Sequence, residues 1–220
     1  MMIRRATALS FLLVGLLAIV QAAPAQEVAL PGVAVAGTIG ALSVSPEFDS
    51  REWGISYEGA IRYTWPSGFQ LQAGVSYSLV DPEEVQGIPV PSSIKEKREV
   101  LNVFVDPRLV LNMGESSFAP YVGARVGYLH HSYNLPGSVS PPVLPATING
   151  SGWIIAGNIG LLVRLSHSLA VEVNGQFGVA PLGDIKVDDG NVEDTIADSG
   201  TSTFTGAIRA GLSYTIIPGS

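Results

Sequence analysis

Cysteine is absent from the 220 residues, which excludes a disulfide framework, a thiolate metal site and a cysteine nucleophile. Charge is scarce: Asp, Glu, Lys and Arg make up 14% of the chain against 46% hydrophobic residues, too little for an ordinary soluble surface. Histidine occurs three times. Neither His130-His131 nor His167 has metal-ligand company at a recognisable spacing, and no cofactor is expected. Twelve Lys and Arg against nineteen Asp and Glu leave a formal charge of −7, the wrong sign for holding a phosphate backbone, so nucleic acid is excluded as a partner. Missing too, beyond the extreme N-terminus, is any run approaching the ~20 apolar residues of a membrane-spanning helix. What remains is a greasy chain with 25 Gly and 15 Pro, suited to many strands and turns. The first reading is all-β.

The N-terminus carries an export signal. Arg4 and Arg5 precede an uncharged run from Leu9 to Val20, and Ala23-Pro24-Ala25 forms a small-x-small site before Gln26. Residues 1–25 therefore read as a cleaved signal peptide, and 26–220 as one domain with no linker or low-complexity block inside it. Loss of Arg4 and Arg5 takes the formal charge from −7 to −9.

Within that domain a two-residue alternation repeats. In Gly54–Trp65 the apolar Ile55, Tyr57, Ile61, Tyr63 and Trp65 share one parity, while Ser56, Glu58, Arg62 and Thr64 share the other. Phe69–Leu79 repeats the pattern, and weaker versions fall at 33–41, 99–111, 118–130, 153–165, 169–179 and 203–216. Eight antiparallel strands are predicted, with lengths near the ~9–11 residues that cross a bilayer when tilted. Their connections alternate long and short. Trp65–Phe69, Asn112–Ser117 and Leu165–Leu169 are tight; 43–52, 80–98, 131–152 and 180–202 are long. This is the signature of an up-and-down barrel whose long loops lie at one end.

Charge and aromatic placement point to a transmembrane β-barrel. Glu58, Arg62, Asp106, Arg108, Arg125, Arg164, Glu172 and Arg209 all fall on the polar parity; Glu99 shares the apolar one but lies where a long loop ends. A charge on the lipid face costs ~2–4 kcal/mol at the midplane, so the charged parity must face inward. Tyr63, Trp65, Phe69, Phe118 and Tyr214 form a lower ring, and Trp53, Tyr57, Tyr77, Tyr128, Trp153, Phe177 and Phe204 an upper one. Two such girdles mark two water–lipid interfaces.

With its signal peptide, its eight segments, Pro120-Tyr121-Val122-Gly123-Ala124-Arg125-Val126-Gly127-Tyr128 and the final Arg209-Ala210-Gly211-Leu212-Ser213-Tyr214-Thr215-Ile216, the mature chain resembles the OmpA/OmpX-like outer-membrane β-barrel proteins, the opacity and porin-like eight-stranded barrels. The resemblance implies a Gram-negative outer-membrane location. It also implies an assembly signal in Arg209, Gly211, Tyr214 and Ile216, read by the barrel-assembly machinery. Ile216 stands where many members carry an aromatic, and Ile217-Pro218-Gly219-Ser220 follow it.

Eight strands enclose an interior just wide enough for side chains, so the lumen is expected to be plugged. The inward acids Glu58, Asp106 and Glu172, facing Arg62, Arg108, Arg125, Arg164 and Arg209, are expected to form a paired, hydrogen-bonded network. The rival is a narrow pore for a small solute, favoured by the surplus of positive charge. A third reading is a lipid A-modifying enzyme. His130 and Ser132 have the spacing seen in lipid A deacylase barrels, but no carboxylate follows until Glu172, and the expectation is no enzyme. Asp106-Pro107 lies mid-strand, where proline removes a ladder hydrogen bond, and predicts a bulge.

The long loops are where recognition of an extracellular ligand would lie. Loop 180–202 sets Asp184, Asp188, Asp189, Glu193, Asp194 and Asp198 against Lys186. Its spacing is not that of an EF-hand, and it reads as a solvated loop beside lipopolysaccharide. Loop 132–152 is uncharged and stiffened by Pro136, Pro141, Pro142 and Pro145. The expected function is structural or surface-interacting, and the resemblance implies roles such as envelope integrity, adhesion or host interaction.

Overall fold

A computed structural model describes residues 31–45, 52–81, 84–85, 88–89, 97–111, 117–135, 138–139, 142–143, 146–188, 193–196 and 202–218. The expected signal peptide, residues 1–25, lies outside them. Eight long strands carry the fold: β1 Gly32–Ser45, β2 Glu52–Thr64, β3 Phe69–Asp81, β4 Arg98–Val110, β5 Phe118–Leu135, β6 Ala146–Arg164, β7 Leu169–Asp188 and β8 Ser202–Pro218. Each pairs antiparallel with its sequence neighbours, and β1 pairs with β8 to close the cylinder. No helix occurs among the described residues.

The period-two pattern becomes the wall. Along β2 the burial alternates without a break from Tyr57 to Thr64, and along β4 from Leu101 to Asp106. Outward positions are large and exposed, among them Ile39, Ile61, Val103, Ile159, Phe177, Ile208 and Leu212. Such a face is stable only against hydrocarbon. The chain is an eight-stranded up-and-down transmembrane β-barrel.

The short turns lie at the lower end. Gly68 N–H donates to the Trp65 carbonyl at 3.0 Å and Trp65 N–H to Phe69 O at 2.9 Å. Gly68 has φ 81°, a left-handed conformation that a Cβ disfavours. Across the barrel, Ser166 Oγ accepts from the N–H groups of Ser168 at 3.3 Å and Leu169 at 3.1 Å, an ST-type turn.

Two expectations are corrected. The ladder does not stop at the membrane boundary: β5, β6 and β7 run for 18, 19 and 20 residues, against 13 each in β2, β3 and β4. Much of loops 131–152 and 180–202 is therefore strand, and Glu193–Ile196 adds a further short strand to the end of β7. β5 runs three residues past Ser132, its last partner to β4, and β7 seven past Pro181, its last partner to β8, so one wall continues above its neighbours. The second correction is at Asp106-Pro107. There is no bulge: the β4–β5 register is the same at Val105↔Val126 and Arg108↔Gly123, and the ladder skips the two positions between. Pro107 supplies no N–H, so the pairing is interrupted without a shift, while β3 continues to pair through Leu71↔Pro107.

Inside, three tiers are stacked. An upper apolar collar joins Leu42, Val44, Val80, Val100, Leu129 and Ala207. A polar middle follows, and a lower cluster of Val110, Ala119, Tyr121 and Leu162 lies beneath it.

Candidate functional site

The middle tier is built by inward positions that the alternation brings to one level from six strands. Glu58 and Arg62 come from β2, Gln72 from β3, Asp106 and Arg108 from β4, Tyr121 and Arg125 from β5, Glu172 from β7 and Arg209 from β8. All are buried.

Two carboxylates are the hubs. Glu172 accepts from Arg108 Nη1 at 2.7 Å, from Asn174 Nδ2 at 3.3 Å, and from Arg62 Nη2 and the Tyr121 hydroxyl. Glu58 accepts a two-pronged pair from Arg125, at 2.7 and 3.1 Å, and from Gln72 Nε2 at 3.1 Å; Arg209 Nη1 stands 3.7 Å away. Asp106 Oδ2 ties the halves together, accepting from Arg108 Nε at 3.0 Å and Nη2 at 2.8 Å, and from Arg125 Nη2 at 3.1 Å. Gln72 Oε1 closes the circuit by accepting from Arg62 Nε at 3.0 Å and Nη2 at 2.7 Å. The bonds of Glu172 to Arg62, Arg108 and Tyr121 and of Glu58 to Arg125 run across the lumen between strands that are not neighbours, so they brace opposite walls; the Gln72, Asn174 and Asp106 bonds lie within one strand or between adjacent ones. Asp106 Oδ1 and Arg125 Nε have no hydrogen-bond partner.

Apolar and aromatic surfaces complete the plug. The Arg125 guanidinium lies 3.6 Å from the Phe104 ring centroid, and that of Arg108 lies 4.7 Å from the Tyr121 ring. Such stacking suits a weakly hydrated, planar cation. Tyr121 reaches this position because its neighbour across the ladder is Gly160, where any Cβ would collide with the phenol ring.

Seven of the eight charges expected in the lumen are thus joined. The eighth, Arg164, is buried lower down and lines a cavity of about 30 Å³ with Thr64, Gln70, Ser213 and Thr215. That is room for a water or two. Reading the charges alone misses Tyr121, Phe104 and Ser56, which accepts from Arg209 Nε at 3.2 Å. Their parity was the available signal, since Tyr121 shares that of Arg125 and Phe104 that of Asp106.

The rims are separate. Above the collar, Arg98 Nη1 pairs with Glu52 at 3.0 Å. His131, three residues beyond the upper-ring Tyr128, is buried with neither ring nitrogen hydrogen-bonded. Burial, and then the charges of Arg98 and His130, push its pKa down to about 4, so it is neutral at pH 7. On the outer face His130 Nδ1 lies 3.0 Å from Ser151 Oγ on β6, not beside Ser132. The fold does bring a carboxylate to this row that sequence order hid: Glu99 registers opposite Ser132. In the last strand, Tyr214 and Ile216 face outward, each 54% exposed, while Gly211 pairs with Thr38 and Glu172.

Solved structures share this architecture. Neisserial surface protein A (NspA) matches with TM-score 0.59 and 14% identity, over 84% of this chain and 97% of that one. The fold is one shared with solved outer-membrane β-barrels. This barrel also matches a major outer membrane protein from Thermus thermophilus, with TM-score 0.52, 14% identity and coverage of 82% and 98%. The outer membrane protein OprG from Pseudomonas aeruginosa follows with 0.51, 13%, 84% and 96%. Neither a protein-family model nor a curated protein matches the sequence. At these identities the likeness is one of fold.

Proposed function

We propose that the chain is a non-conducting barrel of a Gram-negative outer membrane, exported by a cleaved signal peptide, with a structural and surface-interaction role. The observation that carries this reading is the filled lumen. Arg108, Arg125, Asp106 and Glu172 are each at most 1% exposed, and the apolar collar covers them from above. An aqueous path requires both tiers to part. The projecting wall of β5, β6 and β7 supplies the surface through which an extracellular ligand would be met, in adhesion, host interaction or envelope integrity. Its likeness in fold to NspA, by name a surface protein, supports the same reading. The partners are outer-membrane lipid and lipopolysaccharide around the belt, and the barrel-assembly machinery at Arg209, Gly211, Tyr214 and Ile216. We read the His130–Ser151 contact as a rim hydrogen bond and assign no catalytic role.

Planar-bilayer recording on the purified barrel tests this. The expected result is no steady unitary conductance at neutral pH. Reproducible single-channel steps, altered in size by Arg125→Met, would favour the narrow pore instead.

A further inference from the structure

The upper aromatic ring has no member on β1 or β4, and the break at β1 is a groove. Following the ladder outward-face to outward-face, one row runs Trp53, Ser43, Gly206, Phe177, Gly157. Trp53 and Phe177 stand 54% and 68% exposed, three strands apart, or roughly 14 Å at the usual strand spacing. Between them are only a serine and a glycine. A Cβ on Gly206 would have one neighbour within 4 Å, the Gln176 carbonyl at 4.0 Å. The row above ends the groove with Phe204 and Ser45, and the row below with Ile208. The open groove has a volume of about 620 Å³.

We propose that this groove binds one acyl chain of an outer-leaflet lipid, with the chain laid over Gly206 between Trp53 and Phe177. The proposal rests on the outer-membrane reading above. Continuity decides the occupant: the groove opens on the same apolar belt that meets hydrocarbon, where lipid vastly outnumbers any second copy of the chain. Its lining carries no charged side chain, and its polar side-chain groups are the hydroxyls of Ser43 and Ser45 and the Trp53 indole N–H. It therefore selects the chain and not the headgroup charge. Two aromatic walls flank its glycine floor, whereas the paired outward glycines Gly37 and Gly59 lie between the aliphatic Leu212 and Val75.

Trp53 reports on the site directly. The chain has three Trp, so Trp65→Phe with Trp153→Phe leaves Trp53 alone. Phosphatidylcholine with brominated chains, titrated into this protein in detergent, should quench Trp53 saturably at about one lipid per barrel. Unbrominated phosphatidylcholine and phosphatidylglycerol should compete equally. Gly206→Phe, or Ser43→Phe if the first variant fails to fold, should raise the half-quenching ratio about tenfold, with heat-dependent gel migration unchanged. Quenching without saturation, an equal response in the filled-groove variants, or a dimer in light scattering that Gly206→Phe dissolves would overturn the proposal and leave the membrane reading standing. A chain that stays soluble with neither detergent nor lipid overturns both.

Discussion

Glu172→Leu is expected to lower the stability of the barrel by about 3–5 kcal/mol. The leucine fills a similar volume, but it leaves the guanidinium groups of Arg62 and Arg108 and the hydroxyl of Tyr121 without the acceptor they share. Arg108 and Tyr121 cannot turn to water, because the apolar tiers lie above and below, and Arg62 has only the small cavity beside Arg164. The cost is that of stranded cations more than of a lost attraction. A combined variant therefore separates the two: Glu172→Leu with Arg62→Leu and Arg108→Met removes the cations too and should recover a large part of the loss. Urea unfolding in lipid vesicles, read by heat-dependent gel migration, measures both. Equal stability for Glu172→Leu and the native chain would mean that the network does not brace the walls.

On the opposite face, Ile61→Arg is expected to cost about 2–4 kcal/mol. Ile61 is 61% exposed, lies between the two aromatic rings, and neighbours Val35 and Ala73 across the ladder. A charge there must be carried into hydrocarbon or must drag water to itself. The same arginine at Asp81, which pairs with Trp53 at the upper rim and whose side chain is 64% exposed, should cost ~0–1 kcal/mol. The contrast with depth, measured in the same unfolding assay, is what a soluble barrel would not give.

The wall was legible in the sequence because a face against lipid and a face against the lumen impose opposite chemistry on alternate residues. Where that asymmetry ends, legibility ends with it. Beyond Leu129 and Val179 both faces of β5 and β7 leave the membrane, so alternation fades although the backbone ladder runs on to Leu135 and Asp188. The charged members of the lumen could be picked out by parity alone. Their pairing could not, since it depends on register across strands far apart in sequence, as in Arg125 with Glu58 and Arg108 with Glu172. The apolar collar is invisible for a different reason. Leu42, Val80 and Leu129 are inward residues as greasy as those facing lipid, and composition cannot tell a residue sealed in a lumen from one bathed in hydrocarbon. Pro107 misled because a missing N–H was read as an inserted residue, whereas the ladder omits two pairings and keeps its register.

The native chain has no cysteine, so single substitutions to cysteine along β3 place one spin label at a time in the wall. In bilayers, collision with oxygen, which concentrates in hydrocarbon, can be compared with collision with a water-soluble nickel complex. Labels at Leu71, Ala73, Val75 and Tyr77 should show high oxygen access, and those at Gln70, Ser76 and Ser78 low access to both reagents, with a strict period of two. Oxygen access without that period, or with its maxima at Gln70, Ser76 and Ser78, would contradict a barrel that turns its apolar side chains to lipid and its charges to the lumen.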